Sequence, residues 1–93
     1  MSDLYETRSI VGKKVMDTGA MEIGKVKDIV LDISNWTVEC LLVKIPRQTS
    51  KDLGVGGIMG ATARITPELI DKIGDIVSIN ITATELAERI EVE

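Results

Sequence analysis

The stretch GKKVMDTGAMEIGKVKDIVLD, residues 12–32, decides the fold of this 93-residue chain. A short strand over 14–16, a turn at Asp17-Thr18-Gly19 and a long strand over 22–33 rich in β-branched residues predict an antiparallel hairpin. We expect Asp17 to close the turn through its carboxylate and Gly19 to take a positive φ. The stretch offers no catalytic group, so it predicts architecture rather than chemistry.

The long strand changes its alternation part-way along. Gly24 and Val26 share one parity, whereas Ile29, Leu31 and Ile33 share the other. A bulge or strong bend near Lys27-Asp28 would turn both sets toward one core, as small barrels require at their corners. We expect Asp28 and Asp32 to accept backbone hydrogen bonds at the bend and at the strand end.

A turn over 35–37 leads to a third strand over 38–45 that is apolar on both faces. One face holds Leu41, Val43 and Ile45. A small domain rarely covers both faces of a sheet, so the second face is a candidate contact between two copies; cover by a loop is the alternative. The predicted dimer contact consists of Val38, Cys40 and Leu42, supported by Leu86 and Ile90 of the tail.

Residues 46–60 are predicted to be an irregular loop with several glycines. They do not form a nucleotide site, because Met59 stands where a dinucleotide fingerprint after Gly54 and Gly56 needs glycine, and Ala61 stands where a P-loop needs lysine. No cofactor is therefore predicted. The loop's apolar residues are candidates for partner binding: Val55, Ile58 and Met59.

The last third predicts a strand over 61–65, a helix of about two turns, a strand over 75–81 and a tail helix. Thr66-Pro67-Glu68 has the order of a helix start, and Gly74 is expected to end that helix. Thr82 and Glu85 have capping-box spacing. A tail this short needs a surface to lie on, which is the barrel, a second subunit or another protein, and we place docking on its own dimer slightly ahead of the other two.

Composition predicts one β domain built from aliphatic residues. Apolar residues make up 44% of the chain, yet Tyr5 and Trp36 are its only aromatic residues. A domain of this size has a thin stability margin, which favours self-association.

The net charge of −4 disfavours general nucleic-acid binding. Cys40, the sole cysteine, is expected to be a core thiol in a reducing cytoplasm, and apolar runs far shorter than about 20 residues predict a soluble chain.

The residues that could carry chemistry are few. The sequence contains no histidine, and Cys40 has no imidazole to activate it, so we predict a protein that is not an enzyme. A cation site on Asp17, Glu22 and Asp28 lacks calcium-loop spacing, and no metal is predicted. Four lysines converge if the hairpin forms, either as a solvated face or as a patch for an acidic partner or membrane surface: Lys13, Lys14, Lys25 and Lys27.

The order and spacing of the glycines and turn acids resemble the PRC-barrel family, which includes the photosynthetic reaction centre H subunit and the C-terminal domain of the ribosome maturation factor RimM. The resemblance covers residues 9–80 and ends on Ile73-Gly74-Asp75-Ile76-Val77. It gives a structural role in turns to eight residues: Gly12, Asp17, Gly19, Gly24, Asp28, Asp32, Gly74 and Asp75.

The resemblance implies an all-β fold: a small, partly open antiparallel β-barrel of five to six strands, with one short helix before the last strand and a C-terminal helix. The barrel would span 9–81, between a tail over 1–8 and an amphipathic tail over 82–93. Chains of this length resemble small archaeal PRC-barrel proteins that act as dimeric cell-division adaptors. We therefore expect a cytoplasmic homodimer, or a pair with a related chain, that binds another protein, including a membrane-associated division protein at the division site.

Two other functions stay open. One is a RimM-like accessory in RNA processing or ribosome assembly that uses the lysines, although the sequence lacks the second barrel of RimM. The other is a barrel that senses a small ligand or a metal ion. RNA binding would weaken steeply with salt, whereas an apolar contact between proteins would tolerate it.

Overall fold

The computed structural model describes residues 6–52, 54 and 61–88. Within them, six strands form one sheet in the order β4-β3-β2-β1-β6-β5, and short helices lie between and beside the strands. The elements in chain order are α1 (Thr7–Ile10), β1 (Lys14–Met16), β2 (Glu22–Asp32), β3 (Thr37–Ile45), α2 (Arg47–Asp52), β4 (Ala61–Ile65), a 3₁₀ helix (Pro67–Leu69), β5 (Ile70–Ile73), β6 (Val77–Ile79) and α3 (Ala83–Ala87).

The sheet forms a half-barrel, which confirms the predicted all-β fold. Strands β1 to β4 pair with their sequence neighbours in antiparallel order, and so do β5 and β6. The prediction of an antiparallel barrel needs one correction, because β6 lies parallel to β1, with Val15 opposite Val77 and Met16 opposite Ser78. The chain crosses over after β4 and returns beside its first strand, so the sheet is mixed.

The core lies on the inner face of the half-barrel and is entirely aliphatic among the described residues. Each strand from β1 to β4, together with β6, contributes alternate side chains to it, and α3 adds Ala83 and Leu86. The tail helix therefore packs on the barrel of its own chain through these two residues, and its part in a dimer contact stays a prediction. The buried core residues are Val15, Ile23, Val26, Leu41, Val43, Ile45, Ala61, Ala63, Ile65, Leu69, Val77, Ile79, Ala83 and Leu86.

Bulges bend the two long strands. The pairing of β2 with β3 skips Lys27, between Val26 and Asp28, so the predicted bend is confirmed at the expected position. A second shift, which the sequence does not predict, skips Glu39 on β3. Each bulge reverses the face on which the following side chains lie, which lets the strands curl around the core.

The helix predicted after Thr66 is wrong beyond its first turn. Pro67–Leu69 forms a 3₁₀ turn, and the chain then becomes strand β5. Ile70 lies opposite Ile79 on β6. Cross-strand pairing of β-branched side chains stabilises this segment more than a second helical turn would.

The predicted loop over 46–60 is also wrong in part, because it begins with helix α2. Gln48 donates a hydrogen bond from its side-chain amide to the carboxylate of Asp52, at 3.0 Å and a spacing of four residues. Such a pair supports an exposed helical turn.

Candidate interaction surfaces

The far end of the β2–β3 hairpin carries a cluster of exposed apolar side chains. Trp36 is 80% exposed, Ile33 72%, Leu31 48% and Val38 42%. These four account for most of the seven large apolar side chains that are exposed in the described part of the chain. We call these four residues the hairpin-end patch. A concentration of this kind marks an interaction site more often than scattered exposed residues do.

The patch is exposed because the hairpin runs past the core. Ile29 and Leu41 are the last pair of the two strands that packs against the core, whereas Leu31 and Val38 pair beyond it. The turn at residues 33–36 is held by Asp32, which accepts hydrogen bonds from the backbone of Ser34 at 2.9 Å and from the side chain of Asn35 at 3.1 Å. Outside the core, these side chains have no described neighbour to cover them.

Trp36 adopts a backbone conformation that is unfavourable for a residue with a side chain. Its φ is +55°, in the left-handed region where a residue with a Cβ is strained. Glycine or asparagine would be the ordinary choice at such a turn position. An exposed tryptophan in a strained conformation is costly to folding, and costs of this kind collect at functional sites.

The charged residues within the hairpin end itself, from residue 28 to residue 39, are all negative. From residue 28 to residue 39 the sequence contains Asp28, Asp32 and Glu39 and no lysine or arginine. Asp28 accepts a hydrogen bond from the backbone of Ile29 at 2.8 Å, whereas Glu39 lies exposed at the bulge. The patch is therefore an apolar surface with an acidic surround.

Lysines occupy the opposite end of the same strands. Lys14 lies opposite Lys25 across β1 and β2, and Lys25 lies opposite Lys44 across β2 and β3. We call these three residues the lysine row. Like charges directly opposite one another repel, and the ion pair of Lys14 with Glu22, at 3.7 Å, relieves only one end of the row.

An open pocket of about 270 Å³ lies beside the lysine row. It is lined by Glu22, Lys25, Lys44 and Pro46. At Gly24, next to Lys25, the backbones of β2 and β3 lie close together, because a Cβ built on Gly24 would stand 2.2 Å from the carbonyl oxygen of Lys44. The close approach of the backbones fixes the position of the lysines that line the pocket.

Of the four lysines predicted to converge, only Lys14 and Lys25 lie side by side in the sheet. The ammonium group of Lys13 donates a hydrogen bond to the backbone carbonyl of Gly74, and Lys13 is half-buried. Lys27 lies at the bulge, outside the pairing of β2 with β3. Lys44, which the sequence does not single out, takes their place beside Lys25.

Asp17 ties the first turn to the last helix. One carboxylate oxygen accepts hydrogen bonds from the backbone of Gly19 and of Met21, each at 2.8 Å, and the other accepts from the backbone of Ala83, also at 2.8 Å. The positive φ expected of Gly19 is found instead at Ala20, at +61°. This turn is a structural joint, since both oxygens of its carboxylate are used by the backbone.

The other predicted site residues differ in how exposed they are. Val38 belongs to the exposed patch, Leu42 is half-buried, and Cys40 and Leu86 are buried within the chain, where no partner can reach them in this conformation. The shared face assumed for Val38 and Cys40 is wrong, because the bulge at Glu39 puts them on opposite faces. Four further candidates lie outside the described residues: Val55, Ile58, Met59 and Ile90.

The described residues contain neither a metal-binding cluster nor a membrane-spanning helix. No group of three or more acidic, cysteine or histidine side chains in that part of the chain could hold a metal ion. No helix there is long and apolar enough to cross a membrane.

Comparison with known proteins decides the family. The PRC-barrel domain family matches residues 2–86 of the chain. The chain belongs to the PRC-barrel family. The matched range begins before residue 9 and ends after residue 81. It therefore does not test the predicted barrel boundaries at 9 and 81, and these stay a prediction. No curated protein matches this PRC-barrel chain.

A solved structure is similar in fold to this PRC-barrel chain. It is described as a 16S ribosomal RNA processing protein, RimM, of Pseudomonas aeruginosa, and it superposes with a TM-score of 0.58 at 15% sequence identity. The similarity covers 85% of this chain but 44% of that one. The PRC-barrel chain thus spans less than half the length of that protein, and at this identity the likeness concerns the fold alone.

Sequence reasoning missed the exposed end of the hairpin. It assigned the dimer contact to the outer face of β3 and did not consider Ile33 or Trp36. A signal was present, because the only tryptophan of the chain stands beside Asn35, where a turn is predicted. Apolar residues in a turn have no strand neighbour to pack against, so they are exposed unless another part of the chain covers them.

Proposed function

We propose that this PRC-barrel chain is a non-catalytic protein-interaction module that works as a homodimer or with a related PRC-barrel chain. The observation that carries the proposal is the hairpin-end patch. Tryptophan and its apolar neighbours supply a large share of the binding energy in protein contacts when water is excluded from them. A strained and exposed Trp36 is better explained by a contact than by the stability of the isolated chain.

The chemistry of the chain supports an interaction role over catalysis. The sequence has no histidine, and Cys40 is buried. Asp17, whose pKa is lowered by backbone hydrogen bonds, uses both carboxylate oxygens to hold the backbone. A group committed in this way has no position from which to transfer a proton to a substrate.

Self-association tests the proposal directly. We expect sedimentation velocity to show growing association of the wild-type chain from about 1 μM to about 200 μM. The double variant Ile33→Ser/Trp36→Ala should lose it, whereas Val11→Ser/Ile76→Ser, which changes two apolar residues exposed elsewhere, should keep it. A wild-type chain that stays monomeric at every concentration would contradict the proposal that it forms a homodimer.

The most specific form of the proposal is an adaptor in archaeal cell division that joins membrane-associated division proteins. It rests on the resemblance of the sequence to small archaeal PRC-barrel proteins. A fluorescent fusion in the native cell should collect at mid-cell, and the Ile33→Ser/Trp36→Ala fusion should collect less. Uniform fluorescence throughout the division cycle would remove this role.

A second candidate function is an accessory in RNA processing. The lysine row favours it, and the solved structure similar in fold is described as a 16S ribosomal RNA processing protein. Binding to 16S ribosomal RNA should fall steeply with added salt and with Lys25→Glu/Lys44→Glu, because phosphate contacts release counterions. Unchanged binding after the charge reversal would exclude the lysine row as the RNA contact. The net charge of −4 counts against this candidate.

A further inference from the structure

We infer that the hairpin-end patch of one copy docks on the lysine row of a second copy, with Trp36 in the pocket lined by Glu22, Lys25, Lys44 and Pro46. The inference rests on the proposed function, since it names the partner surface of the same patch. It makes the contact heterologous: the two copies use different surfaces rather than the same one.

Charge complementarity favours this pairing over the meeting of two hairpin ends. The surround of the patch contains three acids and no base between residues 28 and 39. Two such ends brought together would set like charges against each other, which opposes association. The lysine row offers the opposite sign, and neither Lys25 nor Lys44 forms an ion pair with another described residue.

The pocket has the size and the chemistry for one aromatic side chain. Its volume of about 270 Å³ falls just below the range of about 300–1,000 Å³ typical of small-molecule sites. Pro46 supplies an apolar wall, and lysine ammonium groups are attracted to the face of an indole ring. Trp36 is the only tryptophan of the chain, and it is the most exposed large apolar residue in the described part.

The two surfaces are too far apart to meet within one chain. Lys25 and Leu31 are six residues apart on β2, a separation of about 20 Å along an extended strand. Because the pairing of β2 with β3 skips Lys27, Lys25 and Leu31 also lie on opposite faces of the sheet. A docked pair therefore leaves one patch and one lysine row unused, and further copies can add head to tail.

A mixing experiment tests the inference. Trp36→Ala removes the anchor and keeps the lysine row, whereas Lys25→Glu/Lys44→Glu reverses the row and keeps the anchor. Each variant alone should associate more than about tenfold more weakly than the wild type. An equimolar mixture of the two should form a complex of two chains and nothing larger, because only one complete contact can form.

Controls separate this contact from general effects. Lys51→Glu/Lys72→Glu makes the same charge change at exposed positions on α2 and β5 and should associate like the wild type. Lys25→Gln/Lys44→Gln removes the charge without reversing it and should give an intermediate affinity. Circular dichroism on each variant checks that the sheet is intact. Added salt should weaken the wild-type contact, since the contact pairs exposed opposite charges.

The outcomes are distinct for the inference and for the proposed function. A mixture that stays monomeric, or lysine variants that associate like the wild type, would overturn the head-to-tail contact. A closed wild-type dimer that resists both sets of substitutions would overturn the inference and the assignment of the dimer contact to the hairpin-end patch, and would leave only the dimeric state standing. Association lost in Trp36→Ala and retained in Lys25→Glu/Lys44→Glu would point to a contact between two hairpin ends, which also overturns it.

Discussion

The second carboxylate oxygen of Asp17 lies 2.8 Å from the backbone nitrogen of Ala83, so a single hydrogen bond joins the first turn to the last helix across 66 positions of the chain. Burial raises the pKa of Asp17, but hydrogen bonds from the backbone of Met21, Ala83 and Gly19 lower it by more. The pKa therefore lies below the ordinary value of 3.8, and the ionised form stabilises the fold.

The first prediction concerns this carboxylate. Asp17→Asn keeps the shape of the side chain but removes the charge and one acceptor oxygen, and we expect it to lower the free energy of unfolding at pH 7 by about 1 kcal/mol, since the carboxylate is partly screened by solvent. Because the pKa of the folded state is depressed, the contribution of Asp17 is complete above about pH 4 and is lost as pH falls through the folded-state pKa. The difference between wild type and variant should shrink accordingly.

Urea unfolding at pH 7 and at about pH 2.5 measures this difference. Asp71→Asn on β5 is the matched control, since Asp71 is exposed and makes no hydrogen bond or ion pair with another described residue. A loss for Asp17→Asn that is equally large at both pH values would show that packing, rather than the charge, carries the effect.

The second prediction concerns the close approach of β2 and β3. Gly24→Ala would set a methyl group 2.2 Å from the carbonyl oxygen of Lys44, a backbone atom that can move only if the strands separate. We expect a loss of about 3 kcal/mol or more in the free energy of unfolding. Gly74→Ala is the control, because a Cβ there meets no atom within 4 Å. Equal thermal stability of the two variants would contradict this account.

The third prediction concerns the strained turn. Trp36→Gly removes a side chain that is 80% exposed and relieves a left-handed backbone, so we expect stability to rise by up to about 1 kcal/mol while self-association falls. Ala20→Gly relieves the same conformation at +61° without changing any apolar surface, and should raise stability with no effect on association. A large loss of stability in Trp36→Gly would mean that the side chain packs within the chain.

The fourth prediction concerns the tail helix. Leu86 is fully buried in the core of its own chain, so Leu86→Ala should lower the free energy of unfolding by about 3 kcal/mol. Thr84→Ala on the exposed side of the same helix should be nearly neutral. If Leu86→Ala were as stable as the wild type in chemical unfolding, the helix would not be part of the core.

The fold was largely predictable because its main signals are local. The change of parity around Lys27 indicated the bulge, and alternation placed Leu41, Val43 and Ile45 together in the core. The segment after Thr66 was not predictable in the same way. Thr66-Pro67-Glu68 starts a helical turn as expected, but the strand that follows exists because Ile79 and Val77 lie beside it, and this neighbour is supplied by the whole fold.

The candidate site depended on information that the sequence does not hold locally. Lys44 lies beside Lys25 only through the register of β2 with β3, and one bulge at Glu39 changed the face of Val38. Trp36 could be assigned to a turn from its neighbours. Its exposure could not be assigned, since burial depends on whether a distant segment covers the turn.

The parallel pairing of β1 with β6 has a consequence for how the domain opens. Two paired positions join these strands, against seven between β2 and β3, and beyond them the described contacts across the junction include Asp17 with Ala83 and Thr18 with Ile81. Sub-global opening follows the weakest cooperative boundary, so amides of β5, β6 and α3 should exchange with deuterium as one unit before those of β2 and β3. The segment from β5 to α3 can then detach while β4, the long hairpin and its exposed end stay folded.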